Sequence, residues 1–255
     1  PRCQKNALEP PVSAPASPPT ITRSAALEHI RAALLALDAA GDDGFEGLMA
    51  TVLARMTGLV MRLAKSGSQF GRDATTPAGI YGVAMEGKRY GDDLRLEHLA
   101  GKIAVATHVL EGLVDLYVIG ATSSVGDATQ QFLSDMLADK GITLLTLDWT
   151  PHPIPPLAVV LAADPLATLT WFDQNVPGVD LTRLGAALDE VRQDPAFATQ
   201  AESLRDAVSA ASVGFEPLRR HGETWLATRL SDAGASQRAF GQRVTVADAA
   251  APPVP

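Results

Sequence analysis

The sequence predicts an α/β fold built on a mixed β-sheet. Some segments repeat apolar residues at helical spacing, others are short apolar runs that suit buried strands, and the two kinds alternate between residues 24 and 147. Hydrophobic residues make up 46% of the chain and aromatic residues only 5%, so we expect a core of Ala, Leu and Val packed between helices and a sheet. The 255 residues suffice for one sizeable domain with an appendage or for two modest domains.

Two helices are predicted first. Ser24 is the expected N-cap of a helix that runs to Asp38, and Gly41–Gly44 breaks the helical pattern. A second helix is expected at 45–56. The remaining predicted elements of this part are strands at 59–63, 72–75 and 80–88, a helix at 94–110, a strand at 113–119, a helix at 127–140 ended by Gly141, and a strand at 142–147.

Composition changes after this α/β part. The run Pro151-His-Pro-Ile-Pro-Pro156 is typical of a stiff linker, and only helical patterns follow it, at 165–174, 181–193, 197–213 and 215–230. We therefore predict a Pro/Ser/Ala-rich leader at 1–22, an α/β domain at 23–150, a linker at 151–163, a helical extension at 164–235 for dimerisation or contact with another module, and a flexible tail at 236–255.

Composition also limits the class of protein. The only cysteine, Cys3, excludes an internal disulfide and a cysteine-based metal site. No apolar run approaches the roughly 18 residues that a membrane span needs, and the start of the chain lacks the pattern of a secretory signal. We expect a cytoplasmic protein that does not bind a membrane. Because the first residue is Pro1, we expect a processed product or a fragment.

Charge is distributed unevenly. The formal net charge is −8, which argues against nucleic acid, because cationic side chains on phosphates supply most of the affinity for a duplex. Residues 62–102, however, hold 7 basic and 5 acidic side chains, whereas residues 103–255 hold 9 basic and 18 acidic ones. A local basic surface on an acidic protein is compatible with DNA.

Two acidic side chains and a lysine stand out in this basic segment. Asp73 precedes Glu86 by thirteen residues, and Lys88 follows two positions later. In a strand, alternation of side chains would place Glu86 and Lys88 on one face. If the chain doubles back, Asp73 lies beside Glu86, and two close carboxylates require a proton or a cation. Oxygen ligands of this kind suit a hard divalent metal ion.

The strings Gly44-Phe-Glu46-Gly-Leu48, Gly67-Ser-Gln-Phe-Gly-Arg-Asp73 and Met85-Glu-Gly-Lys88-Arg-Tyr90 resemble the PD-(D/E)XK nuclease superfamily, most of all its Mrr-type restriction endonuclease branch. The resemblance covers roughly residues 40–150 and departs from the pattern in having Arg72 rather than proline before Asp73. It implies a restriction-endonuclease-like three-layer core with a mixed central sheet, followed here by an all-helical extension.

The same resemblance implies a function and a site. The function would be Mg²⁺-dependent hydrolysis of DNA phosphodiester bonds, with Mn²⁺ as a substitute, by the effector of a bacterial restriction or anti-phage defence system. It would act on double-stranded DNA as a homodimer or higher oligomer, with a fused or associated sensor or nucleotide-hydrolysing module. Asp73, Glu86 and Lys88 would be catalytic, and the metal ligands would be Asp73, Glu86, the Gly87 carbonyl and Glu46. The candidates for phosphate contacts are Lys65, Gln69, Arg72 and Arg89.

Other interpretations stay open. Asp73 can be a solvated turn residue, and Glu86 and Lys88 can form an ordinary ion pair at the end of a strand. The fold can also serve as a catalytically weak module for DNA binding or assembly. A third hypothesis is a nucleotide-binding protein that uses the loop Gly120–Gly126, although this loop lacks the Gly-Lys-Ser/Thr of a P-loop and the glycine spacing of a dinucleotide site.

Overall fold

The computed structural model describes residues 21–57, 59–64, 72–75, 82–92, 94, 96–110 and 114–214. In these residues the fold is α/β with a mixed sheet, as the sequence predicted, and it has five strands and eight helices. The strands are β1 (Arg62–Leu63), β2 (Ala74–Thr75), β3 (Val83–Lys88), β4 (Leu116–Ala121) and β5 (Thr143–Leu147). The helices are α1 (Arg23–Leu35), α2 (Phe45–Thr57), α3 (Leu96–Leu110), α4 (Asp127–Ala138), α5 (Pro156–Ala163), α6 (Pro165–Asn175), α7 (Leu181–Gln193) and α8 (Phe197–Gly214).

The strands lie in the sheet in the same order as in the chain, β1-β2-β3-β4-β5. The first two pairings are antiparallel and the last two are parallel. The parallel connections need crossovers, and helices α3 and α4 supply them. Strand β3 is the central strand, between the antiparallel and the parallel half of the sheet. Its side chains contact elements on both faces of the sheet.

Alternation along β3 separates two hydrophobic clusters. Val83 and Met85 belong to a cluster formed with α1, α2 and helices α5 to α8, whereas Ala84 belongs to a cluster formed with α3 and α4. The sheet is therefore the middle of three layers. Strand β4 shows the same alternation, and a Cβ atom at Gly120 would lie 2.6 Å from Met49 Cε, so this glycine allows α2 to pack closely on the sheet.

The segment expected to be a linker at 151–163 is different in the structure. Residues 156–163 form α5, whose residues Leu157 to Ala162 are all buried in the same cluster as α1 and α2. Pro156 occupies the first turn of this helix, where proline is tolerated because its missing N–H would lack an intrahelical partner. The proline-rich run was therefore misread: its last proline starts a buried helix, and the helices after it share the core of the sheet.

Several boundaries also differ from the sequence prediction. Thr22 rather than Ser24 caps α1, since its Oγ1 accepts a hydrogen bond from the Ala25 amide at 3.4 Å. Helix α4 begins after Gly126 without a side-chain cap. Gly141 adopts a left-handed φ of 70° after α4, as expected of a glycine that ends a helix. The leader, the tail and the predicted helix at 215–230 lie outside the described residues.

None of the described helices combines the length and the apolar character that crossing a membrane requires.

The burial of α5 yields a stability prediction. Leu161→Ala should lower the free energy of unfolding by about 2–5 kcal/mol, because Leu161 is fully buried and its truncation leaves a cavity. The matched control is Leu166→Ala in the next helix, where the side chain is 75% exposed and the change should stay within about 0.5 kcal/mol. Urea denaturation measures both, and equal effects of the two variants would contradict the assignment of α5 to the core.

Candidate functional site

Strand β3 presents two charged side chains at its carboxyl-terminal end. Glu86 and Lys88 follow Ala84 at alternate positions, so they lie on the face that α3 and α4 cover. Glu86 is fully buried and Lys88 is 7% exposed. Lys88 Nζ donates to Glu86 Oε1 and, at 3.2 Å, to the Gly87 carbonyl oxygen. Charged groups are seldom buried without a partner, so this is the ion pair that burial requires.

Asp73 reaches the same place from the neighbouring strand. Its amide donates to the Met85 carbonyl at 2.8 Å, immediately before the two residues of β2. Its Oδ2 accepts a hydrogen bond from the Gly87 amide at 2.7 Å, and the residue is 2% exposed. Asp73 is therefore a buried residue of the sheet, and the interpretation as a solvated turn aspartate is wrong. The antiparallel pairing of β2 with β3 brings it beside Glu86, as the sequence predicted.

A second lysine, which the sequence argument did not assign to the site, enters from α3. Lys102 Nζ donates to Glu86 Oε1 and lies 4.0 Å from Asp73 Oδ1. A single ammonium group thus lies within reach of both carboxylates. This geometry places Asp73 and Glu86 around a shared cation.

Glu46 lies on the opposite side of β3. It is in the first turn of α2, half-buried, and a Cβ atom at Gly87 would lie 3.3 Å from its Cγ. The same Cβ would lie 3.7 Å from Asp73 Oδ2, so the absence of a side chain at Gly87 allows the two acids to approach. Glu46 is close enough for its charge to act on Asp73 and for that of Glu86 to act on Glu46.

Two acids of this cluster, Asp73 and Glu46, have raised pKa values. Burial, together with the charge of Glu86, raises the pKa of Asp73 to about 7, although Lys88 and the Gly87 amide oppose the shift. Burial also raises the pKa of Glu46, and the nearby Glu86 adds to the shift. For Lys102, burial would lower the pKa, but the hydrogen bond to Glu86 and the charges of Glu86 and Asp73 outweigh it and raise the pKa.

The site offers the oxygen ligands that a hard cation prefers, but few of them. Glu86 Oε2 is buried and has no hydrogen-bond partner among the described residues, so this oxygen could accept a bond to a cation. Carboxylate and carbonyl oxygens are the donors that Mg²⁺ prefers. In the part of the chain that the structure describes, however, no three His, Cys, Asp or Glu side chains are grouped closely enough to hold a metal ion. Asp73 and Glu86 would therefore be assisted by the Gly87 carbonyl.

The candidates for phosphate contacts are distributed differently. Arg72 is half-buried, and its charge acts on the buried Tyr117 together with those of Glu86 and Asp73. Arg89 faces the other way: it donates from Nη1 to the carbonyl of Leu35 at the end of α1, at 2.9 Å. The structure therefore places Arg89 away from the carboxylates and against a helix. Lys65 and Gln69 lie outside the described residues.

The loop Gly120–Gly126 uses its polar groups inside the protein. The Thr122 hydroxyl bonds both the amide and the carbonyl of Tyr90, each at 2.9 Å. The Val125 amide donates to the buried Asp148 at 2.7 Å, and the Ser124 carbonyl accepts from Leu94 at 3.1 Å. These bonds tie the ends of the parallel strands together, so these groups are engaged rather than presented to a phosphate.

No model of a known protein family matches the chain, and no significant match is found among curated proteins.

The raised pKa of Asp73 predicts a pH-dependent stability in the absence of metal. The unfolded carboxyl ionises near 3.8 and the folded one near 7, so the folded state binds the extra proton and its stability falls as pH rises between these values. Asp73→Asn cannot ionise at this position, so the variant does not lose stability in this way. The free energy of unfolding of the variant minus that of the unmodified protein should increase by about 2–3 kcal/mol from pH 5 to pH 8.

Urea denaturation at the two pH values, in the presence of a chelator, measures this change. Asp92→Asn is the matched control, because Asp92 is exposed and its substitution should give no such pH dependence. A pH-independent difference between Asp73→Asn and the unmodified protein would contradict a buried carboxyl with a raised pKa at this position.

Proposed function

We propose that this protein is a metal-dependent endonuclease that hydrolyses DNA phosphodiester bonds. The observation that carries the proposal is the convergence of buried Asp73 and Glu86 on one cation, with Lys88 two residues after Glu86 on the same face of β3. Burying two carboxylates and a lysine together is costly, and clusters of buried ionisable groups with perturbed pKa values are frequent at functional sites. The order of these residues along the chain is the order that the PD-(D/E)XK resemblance implies.

The chain's own residues have separable tasks in this proposal. Asp73, Glu86 and the Gly87 carbonyl would hold Mg²⁺ or Mn²⁺. Glu46, on the other side of Gly87, would be a further carboxylate ligand. When bound, the ion supplies polarisation of the scissile phosphate and a lowered pKa for a coordinated water. Lys88 is fixed by Glu86 and by the Gly87 carbonyl, so its ammonium would orient the attacking water or neutralise charge that develops on the phosphate.

The substrate class follows from charge. Residues 62–102 carry a local excess of positive charge on a chain of net charge −8, and they contain the site. This local excess of basic residues in the sequence is compatible with contact between the site and a phosphate backbone. By the resemblance, we propose double-stranded DNA as the substrate, a homodimer that addresses two strands, and a cytoplasmic effector in bacterial defence, with a sensor or nucleotide-hydrolysing module joined to it.

A second candidate function is a nuclease-fold module that binds DNA without cleaving it. Two observations favour it: Lys88 and Lys102 already neutralise Glu86, and no third acidic side chain joins the pair in a ligand set within the described residues. A site that is electrically balanced without metal can serve as a structural ion-pair cluster. The nucleotide-binding hypothesis for Gly120–Gly126 gains no such support from the contacts of that loop.

The two candidates differ in their response to substitution at Lys88. If the protein is an endonuclease, it should nick supercoiled plasmid with Mg²⁺ and not with chelator, and Lys88→Met should lower the rate by about 100-fold or more through loss of the positioned ammonium. Asp73→Ala should abolish nicking by removing a metal ligand. Lys140→Met, an exposed lysine after α4, is the control that should leave the rate unchanged.

Binding of labelled duplex DNA, measured in parallel by fluorescence anisotropy with Ca²⁺ in place of Mg²⁺, separates the outcomes. Retained binding with lost cleavage in Lys88→Met supports the endonuclease. Nicking that survives both Asp73→Ala and Lys88→Met rules the endonuclease assignment out, and binding without any nicking by the unmodified protein favours the binding module.

A further inference from the structure

Lys102 contacts the carboxylate pair in a way that differs from Lys88. The Lys88 side chain is 8% exposed and is held by two acceptors, Glu86 and the Gly87 carbonyl. The Lys102 side chain is 44% exposed and reaches Glu86 from α3, sixteen residues later in the chain. A lysine stem is flexible and can lie along a surface while its ammonium group moves. Lys102 can therefore withdraw into solvent without any change in the sheet, whereas Lys88 cannot.

Electrostatics makes such a withdrawal necessary if a divalent ion binds. Lys102 Nζ bonds Glu86 Oε1 and lies 4.0 Å from Asp73 Oδ1, which are the two acids that would hold the metal. Like charges this close repel each other even at the effective dielectric near a protein surface, and a divalent ion repels the ammonium more strongly than a single charge does. The ammonium and the metal ion would thus compete for the same pair of carboxylates.

We propose that Lys102 is the exchangeable counter-ion of this site. In the metal-free protein its ammonium bonds Glu86 and lies beside Asp73, and on binding of a divalent ion it leaves the pair for the solvent side of the site. The exchange sets the metal concentration at which the site fills, since binding must displace a favourable ion pair. This inference rests on the proposed function, because it assumes that Asp73 and Glu86 hold a metal ion.

The first test measures the exchange in the unmodified protein. Limited acylation of lysines with an N-hydroxysuccinimide ester, mapped by peptide mass spectrometry, reports how accessible each ammonium is. The acylation rate of Lys102 should rise several-fold when Mn²⁺ is added, whereas that of Lys140 should not change. An unchanged rate at Mn²⁺ concentrations that raise the thermal midpoint overturns the exchange and leaves the proposed metal site standing.

The second test uses Lys102→Met, which keeps most of the stem and removes the charge. In chelator its thermal midpoint should fall below that of the unmodified protein, because the carboxylates lose a counter-ion. Calorimetric titration should show Mn²⁺ binding about 5- to 30-fold tighter than in the unmodified protein. Lys102→Arg, which keeps the charge, should restore weaker binding, and Lys140→Met should leave the affinity unchanged.

The outcomes separate the two proposals. Equal Mn²⁺ affinity in Lys102→Met and the unmodified protein overturns the counter-ion role alone. Binding of Mn²⁺ by Lys102→Met but not by the unmodified protein makes Lys102 a permanent ion-pair partner, and it overturns both the exchange and the metal-dependent function. Absence of binding in both proteins, with each shown to be folded by circular dichroism, overturns the metal site and the exchange with it.

Discussion

Two buried carboxylates held beside each other impose the strongest constraint on this structure. Asp73 and Glu86 are almost without solvent contact, and like charges at this separation cannot both ionise without a cation. Two lysines from different elements bond Glu86, and the Gly87 amide donates to Asp73. Burial raises the pKa of Asp73 to about 7. Burying such a group of charges costs free energy, which the rest of the fold has to offset.

The packing that supports the site comes from both faces of β3. On one face α2 lies against Gly87 and Gly120, where the missing side chains let Glu46 and Met49 approach the strands. On the other, α3 buries Leu99 and Ile103 against the sheet and thereby brings Lys102 to Glu86. Helices α5 to α8 complete the core on the α2 side. The C-terminal helices are thus part of what holds the site in place.

Polar contacts add to apolar packing at the ends of the parallel strands. Thr122 links to Tyr90, and Asp148 accepts from Val125 across the neighbouring strands. Arg31 of α1 adds a bond to the Thr122 carbonyl at 2.9 Å. These contacts satisfy backbone groups that the end of a strand leaves without a partner. The loop Gly120–Gly126 resembles a phosphate-binding loop in sequence, but these groups bond other parts of the protein.

The sequence by itself determined what depends on local periodicity. The order of helices and strands up to β5, the bounds of α7 at Leu181–Gln193, and the shared face of Glu86 and Lys88 follow from repeats of 3.6 and 2 residues. Only the tertiary structure decided what depends on crossing elements. Lys102 sits at the edge of an apolar stripe with Leu99, but no spacing links it to Glu86 until α3 is laid across β3. Likewise, the direction of Arg89 towards α1 and the burial of α5 follow from packing between segments far apart in the chain, which a local pattern does not encode.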